Sequence, residues 1–154
     1  MIIMAAKRLG ISRDLLIHPG ETIADILDER GITQAELAAR TGVTPAYISM
    51  VISGKKDISA KFAMSLEYAL DIPKTFWINL QAHYDAELLE VNEIDTITES
   101  ERNVYVELAD RLKILCGQGK IPCNQGMEEN ILSLRRYFRI SNLSNLNRIS
   151  ANVV

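Results

Sequence analysis

The segment from Thr33 to Lys56, which reads TQAELAARTGVTPAYISMVISGKK, constrains the fold of this chain more than any other. It contains two short stretches of helical periodicity separated by Gly42. Two helices that cross steeply need a small residue at their contact, here Ala38, and a turn residue that tolerates a positive φ, here Gly42. Ile48 then points back into the crossing. This spacing predicts a helix-turn-helix, with a generic helical hairpin as the alternative.

Helical periodicity also dominates the rest of the sequence, and no alternating strand pattern interrupts it. The chain is therefore predicted to be all-α. Capping residues and helix breakers delimit five helices in the first part of the chain. Their predicted ranges are 21–30, 34–40, 45–53, from Ser59 to the residue before Pro73, and from 74 to about 91.

A polar stretch at residues 92–101, NEIDTITESE, marks a boundary. Beyond it, one helix is predicted from the cap Thr98 to about Leu115 and another over 127–138, followed by a short final turn. The chain then has three parts, whose expected roles differ. They are an N-terminal arm (1–17), a helical domain (18–91) and a helical extension for dimerisation or partner binding (92–154).

The charge balance limits how this chain could bind nucleic acid. Its net charge is −3, and residues 20–85 carry six basic and nine acidic side chains. A nucleic-acid binder with this composition needs a local basic edge, because bulk positive charge is absent. The arginines of the RRYFR stretch (135–139) are expected on a solvated helix face, with contact to an acidic surface or to nucleic acid as the alternative.

Several other classes of site lack the residues they would need. His83 and Glu87 lie one helical turn apart, but no third ligand accompanies them, so no metal is expected. Cys116 and Cys123 have no zinc spacing and are expected to be reduced thiols. No nucleophile–base pair suggests an enzyme, and no cofactor motif occurs. Without a secretory signal or an apolar run of about 18 residues, we expect a cytoplasmic protein with no membrane partner.

Four stretches carry a resemblance to a known family: HPGETI (18–23), TQAELAARTGVTPAYIS (33–49), ISGKKDIS (52–59) and FWINLQAHYD (76–85). Residues 18–85 resemble the Xre/Cro-like helix-turn-helix family and, more closely, HigA-type antitoxins of bacterial toxin–antitoxin systems. The resemblance implies a five-helix, lambda-repressor-like domain. It also implies a cytoplasmic regulator that binds its operator as a homodimer and neutralises a small basic, RelE-like toxin that cleaves mRNA. The remainder weakly resembles the region that follows this domain in ImmA/IrrE-type proteins, but no HExxH occurs, so no catalysis is implied.

The third helix matches the recognition helix of that family. Its candidate base-reading residues are Thr44, Pro45, Ala46, Tyr47 and Met50. Many relatives carry arginine at the positions of Pro45 and Met50, where this sequence has none and so lacks the bidentate arginine–guanine pair. Apolar contacts with thymine methyl groups and hydroxyl contacts remain. We therefore expect an A·T-leaning site that is partly read through DNA shape.

Phosphate contacts are expected from the residues around the two helices. The candidates are Gln34, Arg40, Ser49, Ser53, Lys55 and Lys56. Gln34 begins the second helix, where free backbone N–H groups favour an anion. For each lysine, a solvated surface charge is the competing interpretation.

A function of a different class stays open at this point. The missing arginines and the negative net charge favour a helix-turn-helix scaffold that dimerises or holds a protein partner without binding DNA. Trp77 is expected in the core, with a dimer interface as its alternative, and His18 is expected to introduce the first helix as a turn residue.

Overall fold

The computed structural model describes residues 16–150, and within that range it contains helices and no strand. The predicted arm falls largely on residues 1–15, which lie outside the described residues. The chain divides after Val91 into two compact units. The helices are α1 (Pro19–Arg30), α2 (Gln34–Thr41), α3 (Pro45–Ile52), α4 (Ala60–Leu70), α5 (Lys74–Val91), α6 (Glu99–Glu107), α7 (Ala109–Gly117), α8 (Met127–Phe138) and α9 (Leu146–Ser150), with short 3₁₀ turns at Glu93–Thr96 and Leu143–Asn145.

The first unit contains α1–α5 around one core, as the all-α prediction requires. Side-chain caps start the helices: Thr33, Thr44 and Ser59 each accept a hydrogen bond from the backbone N–H three residues later. The core buries apolar side chains from every helix of the unit. They include Ile23, Leu27, Leu37, Ile48, Val51, Phe62, Leu66, Leu70 and Trp77. Trp77 is fully buried, which confirms the core interpretation of this residue.

The helix-turn-helix forms where the sequence predicts it. Gly42 adopts φ 71° and ends α2, and its N–H donates to the carbonyl of Ala38. Ala38 and Ile48 are both buried at the crossing of α2 and α3. Because the small residue, the turn residue and the inward-pointing side chain occupy their expected places, the prediction of this motif is confirmed.

The second unit has its own core, and several of its features differ from the prediction. The helix expected from 98 to 115 is broken at Leu108, where the backbone turns to φ −89° and ψ 3° between α6 and α7. A buried ion pair ties the unit together: Arg135 donates to both carboxylate oxygens of Glu101, at 2.7 and 2.6 Å. The expectation of a solvated helix face is therefore wrong for Arg135, whose side chain is only 11% exposed.

The two cysteines also differ from expectation. Cys116 and Cys123 form a disulfide across a loop, with their Cα atoms 5.3 Å apart. The expectation of reduced thiols came from the usual state of cytosolic cysteines, which carries no information on distance. Six residues lie between the two cysteines, and the loop between α7 and α8 folds back far enough to bring them together.

Candidate nucleic-acid interface

The N-terminal end of α3 presents an uncharged face to solvent. Pro45, Ala46, Ser49 and Met50 are exposed, and 40% of the surface of Met50 is accessible to solvent. Thr44 is exposed as well, and its hydroxyl oxygen accepts the N–H of Tyr47 at 3.1 Å. Its hydroxyl proton is not used by that cap and can be donated to a base or a phosphate. Four predicted base-reading residues therefore share an accessible surface.

Tyr47 occupies a different environment from the other candidates. Its ring packs edge-on against Phe62, with centroids 5.1 Å apart, and the residue is only partly exposed. The ammonium of Lys56 lies 4.4 Å from the centre of the same ring, a cation–π contact. These contacts fix the ring of Tyr47 and hold a positive charge beside the N-terminal half of α3.

Lys55 and Lys56 belong to a short segment, Gly54–Ile58, which we call the lysine loop. Gly54 has φ 78°, a conformation that lets the chain reverse directly after α3. The backbone N–H groups of Lys55 and Lys56 then both donate to the carbonyl of Met50, at 2.9 and 3.1 Å. Both lysines are exposed. The structure thus brings the two predicted phosphate-binding lysines to the recognition helix.

The remaining phosphate candidates differ in how available they are. Gln34 is exposed at the start of α2, next to the cap Thr33. Arg40 is engaged elsewhere, because it pairs with Glu36 at 2.6 Å and donates to the carbonyl of Ala69 at 3.3 Å.

The two serines differ in a similar way. The hydroxyl of Ser53 donates to the carbonyl of Met50 at 3.2 Å, so its only proton is used. Ser49 remains exposed on the same helix. Of the six phosphate candidates, the geometry favours Gln34, Ser49 and the two lysines over Arg40 and Ser53.

Other residues support this surface from the side that faces the core of the first unit, and none of them is among the predicted DNA-contacting residues. The side-chain carbonyl of Gln81, on α5, accepts the N–H of Ile58 at 2.8 Å. His18 precedes α1 as its N-cap, which confirms its predicted place, and also lies 3.3 Å from Asp57. His18 and Gln81 lie in the HPGETI and FWINLQAHYD stretches that carry the family resemblance, but the sequence does not indicate what these two residues contact.

Within residues 16–150, groups of metal ligands and helices of membrane-spanning length are the features that bear on metal or membrane chemistry. Between residues 16 and 150, no three histidine, cysteine, aspartate or glutamate side chains lie close enough to hold a metal ion. No helix in the described range is long and apolar enough to span a bilayer. His83 and Glu87 form an ordinary ion pair along α5, at 3.2 Å.

Comparison with known proteins identifies the same region. The helix-turn-helix family model HTH_3 matches residues 23–77. Virulence-associated protein A' of Dichelobacter nodosus is 36% identical over 114 residues, which cover 73% of this chain and 85% of that protein.

Two solved structures are similar to this chain. Antitoxin GraA is 29% identical, with a TM-score of 0.50, and the match covers 55% of this chain and 96% of GraA. An addiction module antidote protein of a HigA family from Coxiella burnetii is 28% identical, with a TM-score of 0.46, over 48% of this chain and 82% of that one.

Proposed function

Since the chain belongs to the Xre-like helix-turn-helix family, we propose that it is the HigA-type antitoxin of a bacterial toxin–antitoxin module and a repressor of its own operon. In this proposal it acts in the cytoplasm, binds operator DNA as a homodimer and neutralises a small basic, RelE-like toxin that cleaves mRNA. One observation carries the DNA-binding part: an exposed recognition helix with the lysine loop directly beside its end. The likeness to antitoxin GraA supports the antitoxin part.

The two units take different roles in this proposal. Residues 18–91 bind DNA, and residues 92–154 serve dimerisation or partner binding. A single α3 offers few base contacts, so specificity depends on two copies whose recognition helices sit about 34 Å apart on one face of the duplex.

Base reading in this proposal relies on apolar contact. Ala46, Met50 and Pro45 lie against thymine methyl groups, while Thr44 and the hydroxyl of Tyr47 donate to base edges or the backbone. Gln34, Ser49, Lys55 and Lys56 contact phosphates. No arginine lies between residues 44 and 53, so no strong guanine contact is expected from this helix.

The DNA-binding part can be tested by measuring affinity for the chain's own promoter across a salt series. Each phosphate contact contributes about 0.9 to the slope of log affinity against log salt. Removing both lysines with K55A/K56A deletes four such contacts in a dimer, so the slope should fall by about 3.6. The matched control is K113A/K120A, which removes two exposed lysines of the second unit and should leave the slope unchanged once size-exclusion chromatography shows that it has the same oligomeric state as the wild type.

The antitoxin part needs a separate experiment. The neighbouring open reading frame should encode a small basic protein whose expression cleaves mRNA and arrests growth. Co-expression of this chain should suppress both effects, and the two proteins should co-purify. A neighbouring product without these effects would contradict this part of the proposal and leave the DNA-binding part standing.

A second candidate function is favoured by the lack of arginine on α3. In that case the first unit is an interaction scaffold that dimerises or holds a protein partner. Failure of the folded protein to shift its own promoter, together with retained self-association, would establish this alternative.

A further inference from the structure

The lysine loop is fixed on the side that faces away from α3. Gln81 is buried, with 6% of its surface exposed, although its side chain is polar. Its Oε1 accepts the backbone N–H of Ile58 at 2.8 Å, and its Nε2 donates to Oδ1 of Asp85 at 2.8 Å. Since Asp85 accepts from Nε2, the amide of Gln81 is held with its oxygen toward Ile58. One side chain of α5 thus secures the end of the loop.

His18 provides a second attachment for the same loop. Its Nδ1 accepts the backbone N–H of Gly20 at 3.0 Å, so in the neutral ring Nε2 carries the proton. Nε2 lies 3.3 Å from the carboxylate of Asp57 and can donate to it. The ring also packs edge-on against Tyr84, with centroids 4.8 Å apart. The ring of His18 is buried, whereas the Asp57 side chain that meets it is exposed.

The start of α1 also lies directly against the end of the recognition helix. A Cβ atom at Gly20 would lie 2.8 Å from the carbonyl carbon of Val51 and 2.9 Å from Cα of Ile52. The segment that carries His18 therefore packs directly against the end of α3. The lysine loop is thus held by contacts from two elements: His18, which precedes α1, and Gln81 on α5.

We propose that Gln81, oriented by Asp85, is a positioning residue for DNA binding. It holds the lysine loop so that the ammonium groups of Lys55 and Lys56 meet the backbone while α3 lies in the groove. His18 secures the Asp57 side of the same loop. This inference rests on the proposed DNA-binding function and deepens it, because none of these three side chains needs to touch DNA.

A merely structural role would have a different consequence. If Gln81 only stabilised the fold, a variant that stays folded would bind DNA with the normal salt dependence. If Gln81 positions the lysines, the folded variant loses part of the phosphate contacts and its salt slope falls. The salt slope therefore separates the two roles.

The experiment compares Q81L with a double variant that exchanges the two groups, Q81E/D85N. In the exchanged pair, the carboxylate at position 81 still accepts from Ile58, and the amide at position 85 donates to the second oxygen of that carboxylate, so both hydrogen bonds can form. We expect Q81L to bind the promoter about tenfold more weakly, with a salt slope lowered by about 1.8, one contact for each protomer of a dimer. The exchanged variant should recover most of the promoter affinity and most of the salt slope. Unfolding followed by Trp77 fluorescence verifies that each variant is folded under the assay conditions.

The outcomes distinguish this inference from the proposed function. If the wild type binds its promoter and folded Q81L binds it with the same affinity and the same salt slope, the positioning role alone is overturned. Failure of the wild type to bind its promoter overturns both. If Q81L does not fold, D85A decides, because Asp85 is exposed and its removal only frees the amide of Gln81. A lowered slope in D85A supports the inference, and a wild-type slope overturns it.

Discussion

Replacing Met50 with arginine should give the recognition helix a guanine preference that it now lacks. Met50 is 40% exposed on the outer face of α3, and only its backbone carbonyl takes part in the contacts that hold the lysine loop. Arginine forms helices about as well as methionine, so the free energy of unfolding should change by less than about 0.5 kcal/mol. A bidentate contact with guanine contributes about 1–3 kcal/mol of discrimination, which is about 5- to 150-fold in affinity.

The assay is a single-base scan of the promoter site by competition binding at constant salt. M50R should prefer guanine at one position in each half-site, whereas the wild type should prefer A·T pairs there. M64R is the matched control, because Met64 is 46% exposed but lies on α4, and the variant adds the same charge outside the recognition helix. A preference for guanine in the wild type, or a folded M50R with no new base preference, would refute the placement of Met50 against the bases.

Three further predictions concern stability. G20A should destabilise the first unit by about 3 kcal/mol in urea unfolding, because the added Cβ meets backbone atoms that cannot move aside. G117A, whose added Cβ has no atom within 4 Å, should leave the unfolding free energy of its own unit, the second, nearly unchanged. R135M should lower the unfolding free energy of the second unit by about 3–5 kcal/mol, because it leaves Glu101 buried without its partner. R136M breaks a more exposed pair and should lower it by less than about 1 kcal/mol. Equal losses in the two variants would contradict the burial of the Arg135–Glu101 pair. Burial raises the pKa of Glu101, but hydrogen bonds and the charge of Arg135 outweigh it and hold this pKa below its ordinary value. The stability contributed by Glu101 should therefore be complete above about pH 5 and fall as acid is added, and a stability independent of pH between about 5 and 2 would contradict this.

The helix-turn-helix was predictable because its requirements are local. Ala38, Gly42 and Ile48 lie within eleven residues, and the sterics of the crossing admit one register. The break at Leu108 was not predictable in this way, since leucine favours helices and no glycine or proline accompanies it. The Cys116–Cys123 contact was missed for another reason: compartment rules describe populations of proteins and carry no information on the path of a loop.

The supporting residues of the interface could not be found from periodicity at all. Gln81 meets Ile58 across 23 residues, and His18 meets Asp57 across 39. A polar residue on a helix is usually solvated. Only its burial in the folded chain indicates that it forms hydrogen bonds with another segment. The selective motifs at 18–23 and 76–85 were therefore visible in the sequence while their common target, the lysine loop, was not.

A recognition helix without arginine places greater demands on the geometry around it. Contacts with thymine methyl groups are short in range, and each adds little binding energy. They therefore contribute to base specificity only when α3 lies at the right depth and angle in the groove. Phosphate contacts set that depth and angle, because they fix the register of the protein on the duplex. A freely moving lysine loop would still supply charge, but it would hold α3 in many positions and blur the reading of bases. An uncharged α3 can therefore be specific only if the lysine loop is rigid, which is what the contacts of Gln81 and His18 provide.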